Sequence, residues 1–241
     1  MKKQGIVIPH EHGGWSMVSV PFLIGMFAGH PQWMHLPLFL AWLFLYLMSY
    51  PLLQAMKRNS NREHLLRWAV IYGLLAGICL IPTLLSFPSL LTFGPFLLVL
   101  LLITLWHVTH KSERSLINNL CAIGIFSIGG AAAYLLSGGG WDNTMFMVVL
   151  FNFLYFTGTV FYVKSMFRER KNKSWILYSQ IYHILILLVP FAVGYPWMAL
   201  AYLFSTIRAF VYGGKLIPPI KIGIIEIIGS VLFLLVSIII L

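Results

Sequence analysis

The stretch that decides the fold is residues 92–109, TFGPFLLVLLLITLWHVT, an apolar run without Asp, Glu, Lys or Arg. Such a run can cross the roughly 30 Å hydrocarbon core of a bilayer as a helix, because backbone groups in lipid must pair within their own segment. The whole chain has the same character: 60% of its 241 residues are hydrophobic and 9% are charged. Soluble domains contain about 25% charged residues. The sequence therefore predicts an all-α integral membrane protein.

Eight further apolar runs accompany this one, and each of them predicts a helix. The nine expected spans are 15–29, 37–56, 68–84, 92–109, 116–136, 144–164, 175–193, 197–212 and 222–241. The eighth is the weakest. Because the connections are short and form no soluble domain, residues 1–241 are expected to form one polytopic domain, a nine-helix transmembrane bundle.

The basic residues test the number of spans independently, because the cytoplasmic connections of membrane proteins are enriched in Lys and Arg. With the N-terminus inside, all sixteen Lys and Arg residues precede the first span, or lie at the end of an even-numbered span or after it. Topology thus accounts for the net charge of +10, and nucleic acid is not an expected partner. Nine crossings place Leu241 outside. Arg208, at the end of the eighth span, is expected to extend toward the headgroups.

Ionisable and amide side chains inside the spans are candidate functional residues, because they are costly in lipid. The candidates are His107, His110, Asn119, Asn152, His183 and Glu226. His107 and His110 are three residues apart, so they can reach one ligand from one helix face or act as interfacial histidines. The buried polar side chains can line a cavity or tie helices together.

Two polar segments flank the spans. Pro9-His10-Glu11-His12-Gly13-Gly14-Trp15 is rich in potential ligands, and its two imidazoles, His10 and His12, are the candidate metal ligands. Its alternative role is a polar lead-in anchored at the interface by Trp15. The second segment, which begins at Arg168, is a basic anchor or a cradle for phosphate groups.

The first of these segments carries a family resemblance. Pro9-His10-Glu11-His12-Gly13-Gly14-Trp15, followed by an apolar helix with Pro21, resembles the opening of the YwiC-like family of small bacterial membrane proteins. That resemblance implies a multi-pass protein of the bacterial plasma membrane, with membrane lipids as its surroundings. The layout resembles, more remotely, the UbiA-type intramembrane prenyltransferases, which implies a UbiA-like bundle whose site opens toward the cytoplasm.

The chain departs from the UbiA pattern at its two acidic motifs. The corresponding connections are residues 54–63 and 164–173, in which only Glu63 and Glu169 are acidic. The hard cation Mg²⁺, which the resemblance implies for prenyl transfer, requires carboxylate oxygens. Metal-dependent prenyl transfer is therefore not expected, and an enzyme here would be a divergent UbiA-like transferase.

Three functions follow as hypotheses. The first is a UbiA-like bundle that binds an isoprenoid, quinone or haem-like lipid in a polar pocket facing the cytoplasm. The second is a small transporter with His183, Glu226 and Asn152 along its path, and the third is an accessory subunit of a respiratory membrane complex. For the first, we expect one pocket at the cytoplasmic mouth to bring together His10, Glu11, His12, His107, His110 and His183. The sequence identifies no cofactor and no oligomeric state.

Overall fold

The computed structural model describes residues 5–9, 12–57 and 61–241, without the side chain of His12. Within these ranges the chain forms nine α-helices and no strand. The helices are α1 His12–Phe27, α2 His35–Met56, α3 Arg62–Ser86, α4 Gly94–Thr109, α5 Leu116–Leu136, α6 Asn143–Met166, α7 Lys173–Ala192, α8 Ala199–Tyr212 and α9 Pro219–Ile240. Short 3₁₀ turns, Pro88–Phe93 and Pro196–Met198, precede α4 and α8.

Each predicted span corresponds to one of these helices. The largest difference is in α3, which begins six residues earlier than predicted, at Arg62, because a helix can continue beyond the apolar core into the headgroup region. Within the part of the chain that the structure describes, seven helical segments are long and apolar enough to cross a bilayer; for α4 this segment is Pro88–Thr109, which includes the preceding 3₁₀ turn. Helix α1 offers the shorter apolar stretch Gly13–Phe27, and α8 has 14 residues. The fold is a multi-pass helical bundle, and nine crossings stay a prediction.

Polar side chains begin several helices. Ser115, Asp142 and Asn172 each accept a hydrogen bond from a backbone N–H in the first turn of α5, α6 and α7. Such caps satisfy amides that have no partner within the helix. The backbone N–H of Met145, donating to the carboxylate of Asp142, lowers the pKa of that side chain. Helix α6, which carries most of the candidate site, therefore begins at a defined residue.

Short connections make consecutive helices antiparallel. The α2–α3, α4–α5, α6–α7 and α8–α9 connections therefore lie at one end of the bundle, here called the basic end because those connections are rich in Lys and Arg. The other connections lie at the opposite end and contain no Lys or Arg. Helix α1 packs against α2, α5, α6 and α9, so it lies in the middle of the bundle.

Helices α1 and α5 cross at their backbones. A Cβ placed on Gly130 would lie 2.6 Å from the carbonyl oxygen of Pro21, and one placed on Gly25 would overlap the carbonyl of Gly130. Small residues permit such close approach of membrane helices. Near the opposite end, Ser137 donates to the carbonyl of Met26, and Nε2 of His35 lies 3.0 Å from Ser137 Oγ. Helices α1, α2 and α5 are thus tied together.

The direction of insertion can be tested at the C-terminus. Because nine crossings from a cytoplasmic N-terminus end outside, we expect an alkaline phosphatase fused after Leu241 to be active in the bacterial periplasm. A fusion in the α6–α7 connection should be inactive and serves as the control. An inactive C-terminal fusion, combined with an active one in that connection, would contradict the predicted orientation.

Candidate functional site

Arg208 is the largest fully buried side chain among the described residues. The expectation that it extends to the headgroups is wrong: its side chain is 1% exposed. The buried residues of α8 are Ala201, Tyr202, Ser205, Arg208 and Ala209, which recur at helical spacing and form one face. Since α8 packs this face against α6, α7 and α9, Arg208 points into the bundle.

Glu226 of α9 neutralises this buried cation. Nη1 of Arg208 forms an ion pair with Oε1 of Glu226, and Nη2 donates to Thr159 Oγ1 of α6 at 3.1 Å. The guanidinium also lies over the ring of Tyr162, 4.8 Å from the ring centroid. Desolvated charges are tolerated in a low-dielectric interior when they are paired and hydrogen-bonded. Three helices thus supply one charged cluster inside the bundle.

Tyr155 and Gly229 complete the surroundings of the ion pair. A Cβ on Gly229 would lie 3.0 Å from the Tyr155 hydroxyl and 3.1 Å from Arg208 Nη1, so both groups lie against the bare backbone of α9. Tyr155 stacks on Phe233, with ring centroids 4.0 Å apart. We call Tyr155, Thr159, Tyr162, Arg208 and Glu226 the central polar site.

Several polar atoms of this site lack a hydrogen-bond partner. They are Nε of Arg208, Oε2 of Glu226 and the hydroxyls of Tyr155 and Tyr162, all buried. Thr159 lies near the Glu226 carboxylate and Ser230 near the Tyr155 hydroxyl, but neither contact has hydrogen-bond geometry. Buried polar groups of native proteins are normally satisfied by protein, water or ligand. The central polar site can therefore accept further hydrogen-bonding atoms.

Two apolar layers enclose the site. Toward the basic end, Tyr162 packs with Met166, Ala209 and Ile222. On the other side, Tyr155 belongs to a core cluster that contains Phe151, Phe156, Tyr202 and Phe233. The ion pair therefore lies in a desolvated environment, in which hydrogen bonds to the charged groups are stronger than in water.

His183 lies beside this site on α7 and is fully buried. Its Nδ1 donates to the carbonyl of Ser179 at 2.7 Å, because a carbonyl can only accept. Its Nε2 has no hydrogen-bond partner and lies 3.2 Å from the position of a Cβ on Gly158. Asn152 is buried on α6, where Nδ2 donates to the Val148 carbonyl and Oδ1 has no partner. Both candidates are interior groups.

His107 and His110 point in different directions although they are three residues apart. His107 is buried, with Nδ1 2.7 Å from Ser112 Oγ. His110 is exposed and stacks on Trp106, with ring centroids 4.3 Å apart. The side chain of His107 thus contacts serines of the α4–α5 turn. None of the described residues forms a hydrogen bond with both His107 and His183.

The remaining candidates either lie nearer the basic end or fall outside the residues that the structure describes. Asn119 is half-buried in the first turn of α5, and Arg168 is exposed after α6. His10 and Glu11 lie outside the described residues, and His12 begins α1 with its side chain outside them. The convergence of the histidines on one pocket, and metal binding by His10 and His12, therefore stay predictions. No group of three potential metal-ligating side chains occurs among the described residues.

The described N-terminal residues run from the basic end into the bundle: the Gly5 carbonyl lies 3.1 Å from Nε2 of His64, in the first turn of α3. The Tyr72 hydroxyl donates to the Val7 carbonyl at 3.0 Å, and Trp15 contacts the ring of Tyr46. Tyr72 and Tyr46 lie ten residues from the basic ends of α3 and α2. At 1.5 Å per residue this is about 15 Å along the helix axes. Gly5 thus lies near the basic end, whereas Val7 and Trp15 contact side chains farther along α3 and α2.

Sequence reasoning identified Glu226 but missed its partners. The signal lay in α6 and α8. Residues 152, 155, 159 and 162 are polar or aromatic-polar at spacings of three and four, which puts them on one face of α6. Arg208 follows Ser205 by three residues on α8 in the same way. An acidic residue inside a membrane span is normally paired with a basic one. Arg208 is the basic residue of the neighbouring eighth span and could have been proposed as the partner of Glu226.

Fold and site together define a multi-pass membrane protein with a charged site enclosed by its helices. The model of the YwiC-like protein family matches residues 8–134, and this chain belongs to that family. It is 38% identical over 228 residues to the "Uncharacterized protein YwiC" of Bacillus subtilis, covering 95% of each chain. An "Uncharacterized protein" of Haemophilus influenzae is 36% identical over 232 residues, covering 95% of this chain and 97% of that one. No solved structure matches.

Proposed function

We propose that the protein binds a lipid-soluble ligand with a polar head, of the isoprenoid, quinone or haem-like class, and that the central polar site receives the head. The observation that carries this proposal is the set of buried hydrogen-bonding atoms without partners around Arg208 and Glu226. A ligand head would satisfy donors that otherwise remain desolvated and unpaired.

The aromatic surroundings support a ligand that is largely apolar. Tyr155, Phe156, Tyr202 and Phe233 lie in the core cluster beside the charged groups. Ligand pockets combine an apolar lining with a few placed polar groups that orient the ligand. An isoprenoid chain or an unsaturated ring can pack against such side chains while its head reaches the guanidinium.

Transport across the membrane is less well supported. A permease needs a polar route that continues to the opposite end. Beyond the central polar site the core cluster includes Val20, Ile24, Met147 and Val148, and these side chains offer no hydrogen bonds. The described residues therefore favour a binding site that is closed toward the opposite end.

The proposal can be tested with purified protein in mild detergent. We expect at least one of geranylgeraniol, menaquinone-4 and haemin to raise the apparent melting temperature, because a ligand that binds only the folded state stabilises it. Tyr155→Phe removes one hydroxyl from the site and should reduce this shift. Tyr178→Phe, at an exposed position of α7, should not change it. No stabilisation by any of the three probes would contradict the proposal.

Prenyl transfer is a separate activity that we do not expect. With a radiolabelled allylic diphosphate, Mg²⁺ and a lipophilic acceptor, purified protein should form no prenylated product. The reason is that Glu63 and Glu169 are the only carboxylates in the two connections that correspond to the acidic motifs of UbiA-type enzymes. Product that forms with Mg²⁺ and disappears with EDTA would contradict this expectation.

A further inference from the structure

We propose that the ligand head at the central polar site is an anion, and that its binding to Arg208 is coupled to the uptake of one proton by Glu226. The inference rests on the proposed function, because it specifies the charge of the same ligand. It follows from the charges that the bundle encloses at this point.

The enclosed site is electrically balanced before any ligand binds. Arg208 and Glu226 form one ion pair, and Tyr155 and Tyr162 face it from α6. Tyr212, nearby on α8, is a further phenol, and His183 of α7 lies beside the site with Nδ1 on the Ser179 carbonyl. Helix α1 has no titratable side chain between Gly13 and Phe27, and on α9 itself Lys221 is exposed. An added anion would therefore leave one uncompensated negative charge.

Protonation of Glu226 removes that charge. A carboxylate that releases Arg208 and takes a proton from water becomes a neutral acid, so the site holds one cation and one anion again. No covalent bond to the ligand forms or breaks, and the proton comes from solvent. The alternative, two anions on one buried guanidinium, is unfavourable because desolvated like charges repel strongly.

The geometry provides donors for the anion that replaces Glu226. Arg208 keeps Nη2 on Thr159 at 3.1 Å, while Nε and the Nη1 that Glu226 would vacate can each donate an N–H to a ligand oxygen. The hydroxyls of Tyr155 and Tyr162 have no partner and are buried. Gly229 leaves the Tyr155 hydroxyl and Nη1 close together. These donors fit an oxyanion better than a neutral head.

The experiment compares geranylgeranoate, an isoprenoid carboxylate, with the neutral alcohol geranylgeraniol. Calorimetric titration at pH 7 in buffers of different ionisation enthalpy gives the number of protons taken up. We expect the uptake of about one proton per geranylgeranoate bound and of none per alcohol bound. As the pH is lowered from alkaline values to 7, the affinity for the carboxylate should rise about tenfold per pH unit. Glu226→Gln should bind geranylgeranoate without proton uptake. Glu63→Gln, an exposed control at the basic end, should behave as the wild type.

The outcomes separate this inference from the proposed function. Binding of the carboxylate without proton uptake by the wild-type protein, or uptake that persists in Glu226→Gln, would overturn the coupling. Binding of the alcohol alone would leave the proposed function standing and refute the anionic head. Binding of neither probe, together with no effect of menaquinone-4 and haemin, would refute the proposed function as well. If Glu226→Gln does not fold, the proton count and pH dependence of the wild-type protein still decide.

Discussion

Replacing Glu226 by Leu is expected to destabilise the protein by about 3–5 kcal/mol, because the change leaves the cation of Arg208 buried without its partner. Arg208→Met should have an effect of the same order, since it leaves the Glu226 carboxylate unpaired. The double variant Arg208→Met/Glu226→Leu removes both charges. We expect it to recover most of the loss, because a buried ion pair can be replaced by apolar side chains of similar volume.

Thermal unfolding followed by size-exclusion chromatography in detergent would measure these effects. The matched control is the pair of Lys57 and Glu113, whose atoms lie 2.6 Å apart with both side chains 34% exposed. Lys57→Met and Glu113→Leu should each cost at most about 1 kcal/mol, because water screens a half-exposed pair. A double variant at 208 and 226 that is as unstable as its single parents would contradict this view of the ion pair.

The double variant also separates stability from binding. It should fold, yet it should lose the stabilisation by any lipophilic ligand that needs the guanidinium as a donor. A functional pair and a purely structural pair differ in this respect, since only the functional pair loses ligand-dependent stabilisation when its apolar replacement folds.

Gly130→Val is expected to prevent most of the expressed molecules from folding. The position of its Cβ lies 2.6 Å from the backbone carbonyl oxygen of Pro21 and 3.1 Å from the carbonyl carbon, and backbone atoms cannot move aside as a flexible side chain can. Overpacking of a core costs about 1–3 kcal/mol when neighbours can adjust. Here α1 and α5 must separate, so the loss should reach or exceed the upper end of that range.

The same substitution at Gly77 of α3 is the control, because a Cβ there meets nothing within 4 Å. We expect the yield of monodisperse Gly77→Val protein to equal that of the wild type. A normal yield of Gly130→Val would show that the backbones of α1 and α5 do not approach each other closely at Gly130.

The helices could be predicted from the sequence because hydropathy is a local property. A run such as residues 92–109 must be helical in lipid whatever surrounds it, since its backbone has no other source of hydrogen bonds. The start of α1 was less predictable. Its first turn contains His12 and two glycines, and Trp15 packs against Tyr46 of α2.

The candidate site was predicted only in part. Glu226, His183 and Asn152 stood out because ionisable and amide groups inside apolar spans are rare. Arg208 was assigned to the interface because long basic side chains near helix ends often extend to the headgroups. The sequence of α8 is compatible with an Arg208 side chain that points either to the headgroups or into the bundle. The packing of α8 against α6, α7 and α9 directs it into the bundle.

The sequence by itself determined that this chain is a membrane protein, that its helices lie at the nine predicted places and that the connections rich in Lys and Arg share one end. Each of these properties depends on the composition of single segments and on their order. Only the tertiary structure decided that Arg208 pairs with Glu226, that Tyr155 and Tyr162 face them, and that Trp15 of α1 packs against Tyr46. The reason is that such contacts depend on how each helix is rotated and tilted against its neighbours, and no residue pattern within one helix specifies that angle.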